Sequence, residues 1–149
     1  MKILVMLFCL IIATACATAE TKPVKFVSEV KTSEGMQLGQ TMEAMINAYN
    51  NRDIKKHVSY YASDAKIESL RAGGVVSRDQ YESALLESAQ NLPLIKLEVI
   101  KITTLSPDIC RVEGSMLSSS PRGESLRPII YDFIRREGKW FVIQQQYPK

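Results

Sequence analysis

The chain has 149 residues, one domain's worth, and 46% of them are hydrophobic, so a real core can form. Its formal charge of +3 is not gathered into a block; Lys55-Lys56 and Arg135-Arg136 are isolated doublets. Binding to a phosphate backbone needs a clustered basic footprint, so this balance argues against nucleic acid as a partner.

The first residues read as an export leader. Lys2 supplies a short positive region, Ile3 to Ile12 is an unbroken apolar run, and small residues follow to Ala19. The run is too short for a stable membrane span. Residues 1–19 are therefore expected to be a signal peptide with two competing cleavage points. Ala17-Thr18-Ala19 before Glu20 would release a soluble protein. Ala13-Thr14-Ala15-Cys16 resembles a bacterial lipoprotein lipobox, with Ala13 where leucine is usual, and cleavage there would leave Cys16 lipidated. The expected location is the cell envelope or periplasm, lipid-anchored or soluble, with membrane contact only through Cys16. Cys9 leaves with the leader, so Cys110 stands alone, without a disulfide partner, and reads as buried packing.

Residues 20–34 are polar and are expected to be a flexible tether, with a short extended piece over 24–30. The domain is placed at residues 35–149. Leu38, Met42, Met45 and Tyr49 recur at helical spacing within a helix over 36–50. Met36 is available as further core filling. Asp53 can cap a second helix, 54–61, whose Ile54, Val58 and Tyr61 share a face. A short strand over 65–70 and a turn at Ala72-Gly73-Gly74 come next. Ser77-Arg78-Asp79-Gln80 matches a capping box opening a third helix, with Tyr81, Leu85 and Leu86 inward. From Leu94 the period changes to that of strands: one to Leu105, one over 109–117, a polar loop over 118–124, and a closing hairpin over 126–147.

Helices first and consecutive antiparallel strands last define an α+β protein with helices on one face of a sheet. The order of these parts, with YYASDAKIES after two short helices and GKWFVIQQQY at the end, resembles the nuclear transport factor 2-like superfamily, in its SnoaL-like branch. The resemblance covers about Gln37 to Tyr147. It implies a cone-shaped fold: three N-terminal helices packed on a strongly bent, mostly antiparallel sheet, with a pocket between them and homodimers among its members.

If the last turn sets Arg136 opposite Lys139, Phe133 faces Val142, Tyr131 faces Gln144 and Ile129 faces Gln146. A slip of one residue would exchange the two faces. The resemblance puts Trp140 on the concave side, so the expected pocket lining is Tyr49, Tyr61, Tyr131, Phe133, Trp140, Val142, Gln144 and Gln146. Both faces of the hairpin are apolar in the middle, which argues for a homodimer.

The chemistry on offer is thin. His57 is the only histidine and reads as a boundary or surface residue. With no spaced histidine or cysteine set, neither a metal nor a cofactor is expected. Asp64 reads as a turn or cap residue, and Asp132 as half of an ion pair with Arg71 or Arg127. Asp64, Asp132, Tyr60 and His57 remain weak catalytic candidates. In catalytic relatives the positions around Gln144 and Gln146 often carry a titratable group; amides hydrogen-bond but take no proton at neutral pH. The expected function is thus a non-catalytic exported binding domain for a small apolar or amphipathic ligand or a protein partner. The alternatives are an isomerase, dehydratase or cyclase with an in-cup aspartate base and tyrosine donor, and a structural dimer with a filled cup.

Overall fold

The computed structural model describes residues 22–26 and 33–148. The expected leader, both expected cleavage points and Cys16 lie outside the described residues. Among those described, no helix is long and apolar enough to cross a membrane.

Three helices, α1 (Ser33–Asn50), α2 (Ile54–Ser59) and α3 (Arg78–Glu87), pack on one strongly curled sheet of seven strands. The strands are β1 (Val24–Phe26), β2 (Tyr61–Ser69), β3 (Gly74–Val76), β4 (Leu94–Ser106), β5 (Ile109–Ser120), β6 (Gly123–Arg136) and β7 (Lys139–Gln146). Their order is β1-β4-β5-β6-β7-β2-β3; β1–β4 and β2–β7 are parallel and the other pairs antiparallel. Register shifts in β4–β5, β6–β7 and β2–β7 sharpen the local twist and let the sheet wrap around the helices.

The α1 stripe is buried as its spacing predicts: Leu38, Met42, Met45 and Tyr49 are all in the core, together with Ile46. Met36, off that stripe, is 57% exposed and fills nothing. Asp53 caps α2, its Oδ1 accepting from Lys56 N at 3.1 Å. The capping box at Ser77 and Gln80 is formed in both directions. It orients α3 so that Tyr81 and Leu85 point inward, while Leu86 is left half exposed, against expectation.

Several boundaries move for physical reasons. Val24–Phe26, inside the expected tether, is an edge strand; Leu97 N donates to Pro23 O at 2.8 Å and Val24 is buried. Strand β2 begins at Tyr61, four residues early, because Val142 N donates to Tyr60 O and draws the chain onto β7 as α2 ends. The expected loop over 118–124 is mostly strand. Ser120 faces Gly123 across the tight turn Pro121-Arg122, and glycine supplies the φ of +118° needed there.

The closing hairpin turns through Glu137 (φ 51°) and Gly138 (φ 75°), the left-handed pair whose twist suits neighbouring strands. Arg136 faces Lys139 and Phe133 faces Val142, as expected. The register then slips: Asp132 faces Gln144, Tyr131 faces Gln145 and Ile130 faces Gln146. Ile143 is the extra residue of a bulge.

Candidate functional site

The bulge decides which amide enters the cone. Gln145 is 2% exposed on the inner face, whereas Gln144 and Gln146 are half exposed and pair with outer-face residues. The expectation that Gln144 and Gln146 line the interior is thus corrected to Gln145 alone. The other expected lining residues, Tyr49, Tyr61, Tyr131, Phe133, Trp140 and Val142, are all 7% exposed or less and form core.

Inside the cone Tyr61 and Gln145 are bonded to each other, while Trp140 Nε1 is buried without a hydrogen-bond partner. Tyr61 Oη donates to Gln145 Oε1 at 2.7 Å, and Gln145 Nε2 donates to Glu68 O at 3.1 Å. Glu68 is half buried at the edge of this network, and its carboxylate accepts Tyr147 N at 2.8 Å. His57 belongs here too, at 2% exposure, so its surface reading is overturned. Its Nδ1 is 3.0 Å from Met45 O, a pure acceptor, which fixes the proton on Nδ1 and leaves Nε2 facing Tyr81 Oη at 3.4 Å. The rings of Tyr49, Tyr61 and Tyr81 surround it at centroid distances of 5.2, 5.4 and 6.0 Å.

Burial disfavours the charged forms of these groups. Burial lowers the His57 pKa to about 4, so the ring is neutral at pH 7. Burial likewise raises the phenol pKa values of Tyr61, Tyr81 and Tyr131, and that of Tyr147 to about 12. Neutral phenols and a neutral imidazole can donate and accept hydrogen bonds. None is poised as a base near neutrality.

The aspartates lie elsewhere. Asp132 is buried on the outer face of β6 and paired in bidentate fashion with its cross-strand neighbour Arg111, at 2.7 and 2.8 Å, rather than with Arg71 or Arg127. Asp64 is exposed and paired with Arg136 at 3.0 and 2.9 Å; that hydrogen bond holds its carboxyl below the usual range. Tyr60 borders a separate 380 Å³ groove with Trp140 and Phe141. The four catalytic candidates are therefore not brought together, and the in-cup pair of aspartate base and tyrosine donor is not formed. Among the described residues no cluster of three or more histidine, cysteine or carboxylate groups is placed to hold a metal.

What opens to solvent is a cleft of 1210 Å³ between the β5–β6 hairpin and the connection from α3 to β4. Here β6 runs on past the core, and the alternation that buries Tyr131 and Ile129 places Arg127 and Ser125 next on the inner face. The lining includes Arg52, Arg71, Arg122 and Arg127, with Ser118 and Ser125 bonded to each other at 2.9 Å. Glu124 also lines it, accepting from Ser119 Oγ at 3.0 Å.

Arg52 reaches the cleft through an uncommon backbone. After α1, Asp53 N donates to Ala48 O and Arg52 N to Tyr49 O, closing the helix with Arg52 at φ 64° where glycine is usual. The Arg52 guanidinium then donates to Leu92 O, tying α1 to the far wall of the cleft. The cleft adjoins the phenol network, since Arg71 and Arg52 partly offset the burial that raises the Tyr49 pKa.

No protein-family model matches this sequence, and no curated protein matches it. Solved structures do. A nuclear transport factor 2-like protein of unknown function from Shewanella oneidensis superposes with a TM-score of 0.70 at 14% identity, over 78% of this chain and 99% of the other. One from Pseudomonas putida gives 0.63 at 16% identity, over 75% and 83%. A candidate scytalone dehydratase from Novosphingobium aromaticivorans gives 0.63 at 12% identity, over 78% and 85%. The chain has the nuclear transport factor 2-like cone fold.

Proposed function

We propose that this chain is a non-catalytic binding module of the cell envelope, exported by its leader, whose ligand sits in the cleft at the open end of the cone. One observation carries this reading. Tyr61 and Gln145 inside the cone are hydrogen-bonded to each other and both candidate aspartates are paired outside it, while the cleft gathers arginine and serine side chains at the solvent. The apolar ligand expected for the cup would have to displace side chains that are already core. Ligand sites place a few convergent polar groups in a concave surface, and this open cleft has such groups.

The test is a thermal-shift screen of the mature protein against metabolites, lipids and oligosaccharides, with each hit mapped by amide chemical shifts. Hits should move Arg52, Arg71, Ser118 and Arg127 and leave Tyr61 and Gln145 in place. A hit seated among the tyrosines, or turnover of any hit, would refute the reading. For the address, intact mass of the native protein should show either a lipid increment on Cys16 or a start at Glu20. A retained leader would exclude export.

A second reading concerns the outer face. Ile130, Ile134, Phe141 and Ile143 are half exposed there, around the Arg111–Asp132 pair. An apolar outer face is where a sheet meets a partner, and the partner proposed is a second copy of this chain. Sedimentation should give a dimer that Phe141→Lys converts to monomer; a monomeric wild-type protein removes this reading.

A further inference from the structure

We infer that the cleft selects a ligand carrying several anionic groups, such as phosphates, sulfates or carboxylates, on a polar body. This rests on the proposed use of the cleft and adds the chemistry of what it holds. The argument begins with how the eight arginines of the chain are spent. Arg111, Arg135 and Arg136 are neutralised by carboxylates at 3.1 Å or less. Arg78 donates to Tyr61 O. The remaining four, Arg52, Arg71, Arg122 and Arg127, all line the one cleft; Arg52 donates to Leu92 O and Arg71 to Asn91 O, and no ion pair ties any of the four to a carboxylate among the described residues.

Their origins make this convergence informative. Arg52 comes from the end of α1, Arg71 from the β2–β3 turn, Arg122 from the β5–β6 turn and Arg127 from β6. Four distant segments thus place like charges around one cleft, which raises the local potential for an anion. Arg52 adds a cost, because a non-glycine residue at φ 64° is strained, and glycine would serve the helix end better. Guanidinium groups match oxyanions with paired N–H donors, and serine hydroxyls from β5 and β6 can donate between them. The open cleft, 1210 Å³, has room for a ligand with several such groups. Glu124, two residues from Arg122 on the same turn, is held by Ser119 and is the one carboxylate in the lining.

The experiment uses isothermal titration of the mature protein with sodium tripolyphosphate, a heparin-derived tetrasaccharide, neutral maltotetraose, and phosphatidylcholine vesicles with and without phosphatidylglycerol. The two soluble anions should saturate at one per chain and weaken as salt rises. Arg71→Gln, Arg127→Gln and Arg52→Gly should each weaken them about tenfold, the scale of one lost charge-assisted hydrogen bond. Arg136→Gln, on a pair outside the cleft, should change them less than twofold. Arg52→Gly keeps the fold testable because glycine suits that backbone. Maltotetraose binding as tightly as the anions would overturn the anion selection and leave the cleft reading standing. No binding by any soluble probe would overturn both. Binding only to phosphatidylglycerol vesicles, or equal loss with Arg136→Gln, would reduce the effect to general charge and overturn the inference.

Discussion

Tyr61 and Gln145 meet inside the cone at 2.7 Å, hydroxyl to amide oxygen, across strands that run parallel. The bond exists because Ile143 is bulged out of β7, which turns the second of three successive glutamines inward. Gln145 also donates to Glu68 O, so its removal strands two buried groups at once. Gln145→Leu should therefore cost about 2–4 kcal/mol, from one to two unsatisfied buried partners. Gln144→Leu, on the outer face, should stay within about 0.5 kcal/mol. Urea midpoints decide between them; equal effects would mean that the bulge does not select the inward amide.

That bulge also marks where the sequence stops being legible. The hairpin register is readable from Arg136 to Phe133 because the turn residues fix it. Gln144-Gln145-Gln146 then offers no alternation, and nothing in the run distinguishes inward from outward. His57 was more legible than its expected surface place implied. It stands three residues after Ile54, which puts it on the buried face of α2 with Val58. The cone fold itself could be read from the order of elements. The arginine cleft could not, since its members are up to 75 positions apart, from Arg52 to Arg127, and three of them sit in turns or at a strand end.

The outer face gives a contrast between two ion pairs of equal geometry and unequal burial. The Asp132 side chain is 8% exposed and Arg111 37%, against 64% for Asp64 and 42% for Arg136. Arg111→Met would leave Asp132 buried without a partner, at about 1–3 kcal/mol once the partial exposure of Arg111 is allowed for. Arg136→Met leaves a solvated carboxylate and should be nearly silent. Chemical denaturation of the two variants tests this, and an equal loss would show that burial of Asp132 is not what counts.

Strand β4 bulges at Ile100, and Gly114 of β5 lies against it there. A Cβ on Gly114 would lie 2.5 Å from Glu98 O, which is backbone and cannot move aside alone. Gly114→Ala should thus destabilise by about 1–3 kcal/mol through overpacking. Gly74, at the start of β3, has open space around it and no left-handed backbone. Gly74→Ala should be neutral or slightly stabilising. If both melt alike, the close approach is relieved in solution.

His57 makes stability depend on pH in a direction fixed by its surroundings. Tyr49 from α1, Tyr61 from β2 and Tyr81 from α3 face it with neutral phenols, so no charge compensates protonation. Burial holds the folded pKa at about 4, whereas an unfolded histidine titrates near ~6.5. Between those values the unfolded chain binds the extra proton and the folded one does not, so stability rises with pH. The full contribution is present above about pH 6.5 and is lost as pH falls towards 4, amounting to roughly 3 kcal/mol over that interval. Carboxylates also titrate at the acid end, so the informative quantity is the difference from His57→Gln. Urea unfolding at pH 5 and pH 7.5 should show a steep fall for the wild-type protein and a shallower one for the variant. Parallel slopes would place the imidazole in contact with solvent and contradict its burial.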